Sequence, residues 1–129
     1  MRSLVVDDEL TSQRLLAICL QDYGDCGVAN DGHQALDAVR GALEQNQPFD
    51  LICLDIMMPG LDGQETLAEI RRLEQEAGLE PEHRAKVLMV TAVFDEDNVM
   101  KQIDEWDAYL VKPIERQAII DVLQRLALI

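Results

Sequence analysis

Five side chains suited to phosphoryl chemistry stand far apart along the 129-residue chain: Asp7 and Asp8, Asp55, Thr91 and Lys112. Each group directly follows a short apolar run, namely Leu4 to Val6, Phe49 to Leu54, Val87 to Val90 and Ala108 to Val111. Three carboxylates brought together repel one another, so such a cluster is stable only where protons or a cation neutralise part of its charge. All-oxygen ligands favour Mg2+, which keeps several waters and takes one or two carboxylates together with phosphate oxygens. A carboxylate such as Asp55 can then act as a nucleophile toward phosphorus, while the metal and Lys112 neutralise charge growing on the equatorial oxygens. The product of that step is an aspartyl phosphate.

These residues meet only if the runs before them lie side by side with their ends flush. The runs are rich in Val, Ile and Leu and alternate with segments of helical period, the pattern of a parallel sheet covered by helices on both faces. In such a sheet ligands bind at the carboxyl ends of the strands, beside the point where strand order reverses. After the first strand, Leu16, Cys19, Leu20 and Tyr23 share one helical face before Gly24 ends the helix. A weaker strand spans Cys26 to Ala29. Asn30-Asp31-Gly32 then turns the chain into a helix burying Ala35, Ala38, Val39, Ala42 and Leu43. Phe49 to Leu54, the most apolar run, reads as the central strand. A Pro59-Gly60 turn leads to a helix from about Gly63 to Ala77 that buries Leu67, Ile70 and Leu73. Asp95 can cap a short helix carrying Val99 and Ile103, and a last helix buries Ile119, Val122, Leu123 and Leu126.

Bulk properties narrow the partners. Acidic residues outnumber basic ones 25 to 11, for a formal charge of -14. Such a surface is repelled by nucleic-acid phosphates and anionic lipid headgroups, so neither direct nucleic-acid binding nor membrane association is expected. No apolar run approaches the roughly 20 residues of a membrane span, and no leader pattern opens the chain, so a cytoplasmic location is expected. Cys19, Cys26 and Cys53 are an odd number without metal-ligand spacing and read as reduced, buried thiols. The chain reads as one domain over residues 1–129, with no room for an output domain.

Four segments, in order and spacing, carry a resemblance: Val5-Val6-Asp7-Asp8-Glu9, Leu54-Asp55-Ile56-Met57-Met58-Pro59-Gly60-Leu61-Asp62-Gly63, Val90-Thr91-Ala92 and Ala108-Tyr109-Leu110-Val111-Lys112-Pro113. Over essentially its whole length the chain resembles the receiver domain of two-component response regulators. The resemblance implies a flavodoxin-like, doubly wound five-stranded parallel sheet of order 2-1-3-4-5 with five helices. It implies that Asp55 accepts a phosphoryl group from a phosphohistidine of a histidine kinase or phosphotransfer protein. Mg2+ would be bound directly by Asp8, Asp55 and the backbone carbonyl of Met57, and through water by Asp7. Lys112 would pair with the phosphoryl group, Thr91 would donate its hydroxyl to it, and the Lys112-Pro113 peptide would be cis. Tyr109 would move inward with Thr91 and reshape a surface read by a downstream protein target. The chain would be a monomer or weak dimer and, beyond its own phosphorylation and dephosphorylation, not an enzyme.

Rival readings have weaker support in the residues. A phosphohydrolase of the haloacid-dehalogenase type needs a second Asp two positions after the nucleophile, where this chain has Met57. A flavin module of the same fold needs a Ser/Thr/Gly-rich phosphate loop after the first strand, which is absent. A receiver-like binding module that works without phosphorylation would not need the full set of acidic residues and Lys112. His33 and His83 read as surface residues, and Asp95, Glu96 and Asp97 as acids favoured at a helix N-terminus. Two departures from the family stand out. The polar segment from Glu76 to Lys86 is longer than usual and reads as a solvated loop, and Glu105 and Trp106 replace a Gly and a small residue. Trp106 could fill a gap in the core or anchor a partner.

The residues two positions after Asp55 and Thr91 are Met57 and Val93, whose side chains cannot hold an attacking water by hydrogen bonds. The aspartyl phosphate is therefore expected to hydrolyse slowly. Purified phosphoprotein with Mg2+ should keep its label for minutes or longer, and a half-life of seconds would overturn the expectation.

Overall fold

The first strand, β1 (Ser3–Val6), is buried at every position, which explains why its sequence shows no polar alternation. The computed structural model describes residues 1–56, 63–91 and 106–129. Within them β1 is joined by β2 (Cys26–Ala29), β3 (Leu51–Asp55), β4 (Lys86–Thr91) and β5 (Ala108–Val111). All pairings are parallel and the order is β2-β1-β3-β4-β5, so the chain reverses direction of growth between β1 and β3. This is the flavodoxin-like arrangement.

Four helices lie among the described residues: α1 (Leu10–Gln21), α2 (Gly32–Glu44), α3 (Gly63–Glu76) and α4 (Arg116–Arg125). The short helix expected around Asp95 to Ile103 and the Pro59-Gly60 turn lie outside the described residues. Because successive strand residues point to opposite faces, the sheet builds two cores. Leu4, Val6, Ile52, Leu54, Val87 and Met89 pack under α2 and α3, against Leu36, Val39, Leu67 and Ile70. Val5, Leu51, Cys53, Leu88 and Val90 pack under α1 and α4, against Leu16, Leu20, Ile119 and Leu123. Asp31 caps α2 by accepting the Gln34 N–H at 2.8 Å. Past α1, Gly24 adopts φ +145° as the chain passes the N-terminus, where a Cβ would stand 1.9 Å from the Met1 carbonyl oxygen.

Two local expectations need correction. Cys19 and Cys53 are buried, but Cys26 is only half-buried because β2 is an edge strand with an outer side open to solvent. The segment from Glu76 to Lys86 is more than a solvated loop, since it contains a 3-10 turn at Pro81–His83 and is fastened to α3. The fastening is Glu74, only 2% exposed, which accepts the Ala85 N–H at 2.7 Å and Arg71 Nη1 at 2.8 Å. Arg71 Nη1 also donates to the Ala85 carbonyl at 2.8 Å. A Glu on the inner face of α3 breaks the apolar pattern, and that break was the one signal of this network in the sequence. Trp106 packs against the α2–α3 core and meets Tyr109 edge-on, with ring centroids 5.8 Å apart. His33 and His83 are exposed, as expected.

Burial raises the thiol pKa at all three cysteines, most of all at Cys53. Native protein should therefore be alkylated slowly and at Cys26 alone, and at all three positions after unfolding. Rapid native labelling of Cys53, read by mass after proteolysis, would contradict this packing.

Candidate functional site

Parallel register brings the carboxyl ends of four strands level, and backbone hydrogen bonds continue past the strand ends. Asp7 N–H donates to Ala29 O at 3.1 Å, Ile56 N–H to Val90 O at 3.2 Å and Lys112 N–H to Thr91 O at 2.7 Å. Asp55 is the last residue of β3 and Thr91 the last of β4, while Asp7 and Lys112 directly follow β1 and β5. Residues up to about a hundred positions apart thus share one edge of the sheet.

Asp7, Asp8 and Asp55 each bring a carboxylate oxygen within 4.8 Å of the other two. Asp7 and Asp55 are 1% and 4% exposed, Thr91 is buried, and Asp8 lies at the open mouth. The Lys112 ammonium stands 3.2 Å from Asp7 Oδ2 and 3.4 Å from Asp55 Oδ2. The Asp55 contact is a hydrogen bond, whereas the shorter Asp7 contact is an ion pair whose angles do not make one. Burial alone would lower the Lys112 pKa, but the charge of Asp55, with Asp7 and Glu9, outweighs it and raises the pKa above the ordinary lysine value. Lys112 therefore stays charged. One ammonium faces three carboxylates, which leaves the pocket strongly attractive to a cation.

A hard divalent ion fits this donor set. Asp7 Oδ1 accepts the Glu9 N–H at 2.8 Å, but its buried Oδ2 has no hydrogen bond among the described residues, an acceptor left over in a site made of oxygens. Asp8, whose carboxylate has no hydrogen bond or ion pair among the described residues, and Asp55 would hold Mg2+ directly, with Asp7 reaching it through water. Met57, Val93 and their surroundings lie outside the described residues.

Two supporting contacts escaped the sequence reading. Gly63, the first residue of α3, lies so close to the end of β3 that a Cβ would come within 2.4 Å of Ile56 Cα and 2.6 Å of the Asp55 carbonyl oxygen. Gln13, on the inner face of α1, donates from Nε2 to the Asp7 carbonyl at 3.1 Å, to Ala29 O at 3.3 Å and to Asn30 Oδ1 at 2.8 Å. A polar residue three positions before Leu16 on a buried face was its only signal.

The peptide between Lys112 and Pro113 is cis. Beside the site a cavity of about 420 Å3 opens between α1 and the loop after β5, lined by Glu9, Ser12, Leu15, Lys112, Pro113 and Ile114. Tyr109 is 40% exposed and leans on Trp106. A second cavity, of about 410 Å3, lies at the opposite edge of the sheet near Arg71, Arg84, Lys86 and Asp107. There Arg71 is engaged by Glu74, Ala85 O and Asp107, and Arg84 Nε by Leu79 O, so these groups close the loop before β4.

The family model described as the response regulator receiver domain matches residues 3–124. Probable histidine kinase 2 of Oryza sativa subsp. indica is 33% identical over 134 residues, covering 95% of this chain and 12% of that protein. Transcriptional regulatory protein BtsR of Salmonella typhimurium is 35% identical over 123 residues, covering 95% of this chain and 46% of that protein. The chain thus spans less than half the length of either relative. Among solved structures, the receiver domain of the histidine kinase CKI1 from Arabidopsis thaliana, complexed with Mg2+ and BeF3-, superimposes with a TM-score of 0.83 at 28% identity, covering 99% of this chain and 90% of that one. Vibrio cholerae chemotaxis protein CheY4 gives a TM-score of 0.80 at 25% identity, covering 97% of each chain.

Carboxylate repulsion at the site has a thermodynamic signature. Asp8→Asn should raise the melting temperature of metal-free protein, by about 3 to 5 °C for each kcal/mol of repulsion relieved. Added Mg2+ should raise the melting temperature of wild type and have little effect on the variant. Calorimetric scans with and without Mg2+ test both, and a metal-free variant less stable than wild type would contradict the repulsion.

Proposed function

The chain belongs to the response regulator receiver family of two-component systems, and from that membership we propose that it is a phosphorylation switch with Asp55 as the acceptor. The observation that carries the reading is the meeting of Asp7, Asp8, Asp55 and Lys112 in one pocket, where the buried Asp7 Oδ2 has an ion pair with Lys112 but no hydrogen bond among the described residues. An Asp55 carboxylate oxygen attacks the phosphorus of a phosphohistidine. The new P–O bond forms as the P–N bond breaks, and the leaving imidazole keeps the electron pair. Lys112, held between Asp7 and Asp55, is placed to neutralise the incoming phosphoryl oxygens, and Thr91 ends its strand beside them. Bound directly by Asp8, Asp55 and the Met57 carbonyl and through water by Asp7, Mg2+ would supply the charge that lets a dianionic group approach three carboxylates.

The donor is a histidine kinase or phosphotransfer protein. Leu10, Leu15 and Ile18 are exposed on α1, next to the cavity that reaches Lys112, and form an apolar face on which a donor can dock with its phosphohistidine over Asp55. Output is a change of surface: Tyr109, half-exposed on β5 against Trp106, turns inward with Thr91, and a downstream protein reads the difference. The chemistry serves this shift in population, so the chain is a switch and catalyses only its own phosphorylation and dephosphorylation. The reading places it in the cytoplasm, in keeping with three free thiols and with the absence, among the described residues, of a helix long and apolar enough to cross a membrane.

Intact mass after incubation with acetyl phosphate or phosphoramidate tests the proposal. Wild type should gain one phosphoryl group only with Mg2+, and Asp55→Asn should gain none. No gain under any condition would favour a receiver-like module that binds partners without phosphorylation.

A further inference from the structure

The exposed carboxylate of Asp8 has no hydrogen bond or ion pair among the described residues, yet it stands within 4.8 Å of its two partners. Its direction therefore depends on the backbone that carries it. The peptide joining Asp7 to Asp8 is held at its carbonyl end by Gln13 Nε2, at 3.1 Å. Gln13 is itself only 6% exposed, and all three neighbours of Nε2 are acceptors, which sets the orientation of its amide. Two amide hydrogens serve three acceptors, so one is shared, and the shortest contact goes to Asn30 Oδ1 at 2.8 Å. Asn30 is fixed in turn, because its N–H donates to Gln34 Oε1 at 2.8 Å at the start of α2. The Ala29 carbonyl receives both the Asp7 N–H and Gln13. Asp7 is thus tied to the end of β2 through its own amide and through Gln13.

We infer that Gln13 is a positioning residue for the metal site: by holding the Asp7 carbonyl it sets the plane of the Asp7–Asp8 peptide and so aims the Asp8 carboxylate at the ion. A side chain that touches neither ion nor phosphoryl group would then tune Mg2+ affinity, as residues behind first-line ligands do elsewhere, where their loss typically costs about 10- to 100-fold. The rest of the loop cannot substitute for it. Glu9 N–H holds the Asp7 side chain, and Ser12 Oγ donates to Glu9 Oε1, but neither holds the Asp7–Asp8 peptide. The inference rests on the reading of Asp7, Asp8 and Asp55 as Mg2+ ligands.

Isothermal titration of Mg2+ into wild type, Gln13→Met and Asn30→Ala tests it, with Val39→Ala as a variant weakened in the core away from the site. Met keeps the length of Gln and removes the donors. Gln13→Met should bind Mg2+ about tenfold more weakly, and Asn30→Ala should shift the affinity in the same direction by less. Val39→Ala, matched for loss of melting temperature, should bind as wild type does. Phosphorylation of Gln13→Met by acetyl phosphate should need correspondingly more Mg2+ and recover the wild-type rate at saturation. Unchanged affinity in a folded Gln13→Met would overturn the inference, as would an equal loss in Val39→Ala. If Gln13→Met does not fold, Asn30→Ala decides, and wild-type affinity there would overturn the inference. Wild type that binds Mg2+ with the expected variant order but takes no phosphoryl group would overturn the proposed switch and leave the role of Gln13 standing. Wild type that binds no Mg2+ would overturn both.

Discussion

Repulsion among three carboxylates at one edge of the sheet is the constraint around which the rest of this structure is arranged. Two unit charges about 4 to 5 Å apart repel by roughly 3 to 4 kcal/mol at an effective dielectric near 20. Fully burying one Leu or Ile side chain returns about 1.5 to 3 kcal/mol. A handful of the core residues, such as Leu4, Leu54, Leu67 and Ile70, is therefore enough to hold the acids together. Lys112 relieves part of the repulsion from the far side of the pocket. What it leaves unrelieved is what would favour a cation at the site.

The two edges of the sheet show the same chemistry put to different ends. At the amino edge, Glu74 is buried but accepts from a backbone N–H and a guanidinium, and Asp107 Oδ2 accepts the Val87 N–H at 2.8 Å beside Arg71. With its partners in place, that network is structural, closing the loop before β4 and setting the start of β5. At the carboxyl edge, Asp7 Oδ2 is as deeply buried yet lacks a hydrogen bond among the described residues. Burial without full satisfaction separates a site from a brace, and sequence composition does not distinguish them.

The edge is held in place by backbone and small contacts more than by side chains. Gly63 lets α3 start against the Asp55–Ile56 backbone, and Gln13 ties the loop after β1 to the end of β2. On the far side of β4, Trp106 fills the margin of one core while its edge meets Tyr109 on β5. Of the two readings of Trp106 the contacts support the packing one, since the ring lies against the core and supports Tyr109.

By itself the sequence determined the sheet, its order and the residues at the strand ends. Unbroken apolar runs such as Val87 to Val90 point to a doubly covered strand, and the order followed from the resemblance of the motifs to receiver domains. His33 and His83 were legible as surface residues for the same reason, their polar neighbours. Tertiary structure alone decided what depends on contacts between distant segments. Cys26 is half-exposed because its strand lies at the edge, which no property of Cys26-Gly27-Val28-Ala29 announces. Glu74 is buried because the chain returns at Ala85 to use it, and Gln13 matters because the carbonyls of Asp7 and Ala29 and the side chain of Asn30 converge on its amide. Periodicity reports which face of a helix is inside, but a hydrogen bond needs a partner at a specific place, and only the folded chain supplies that place.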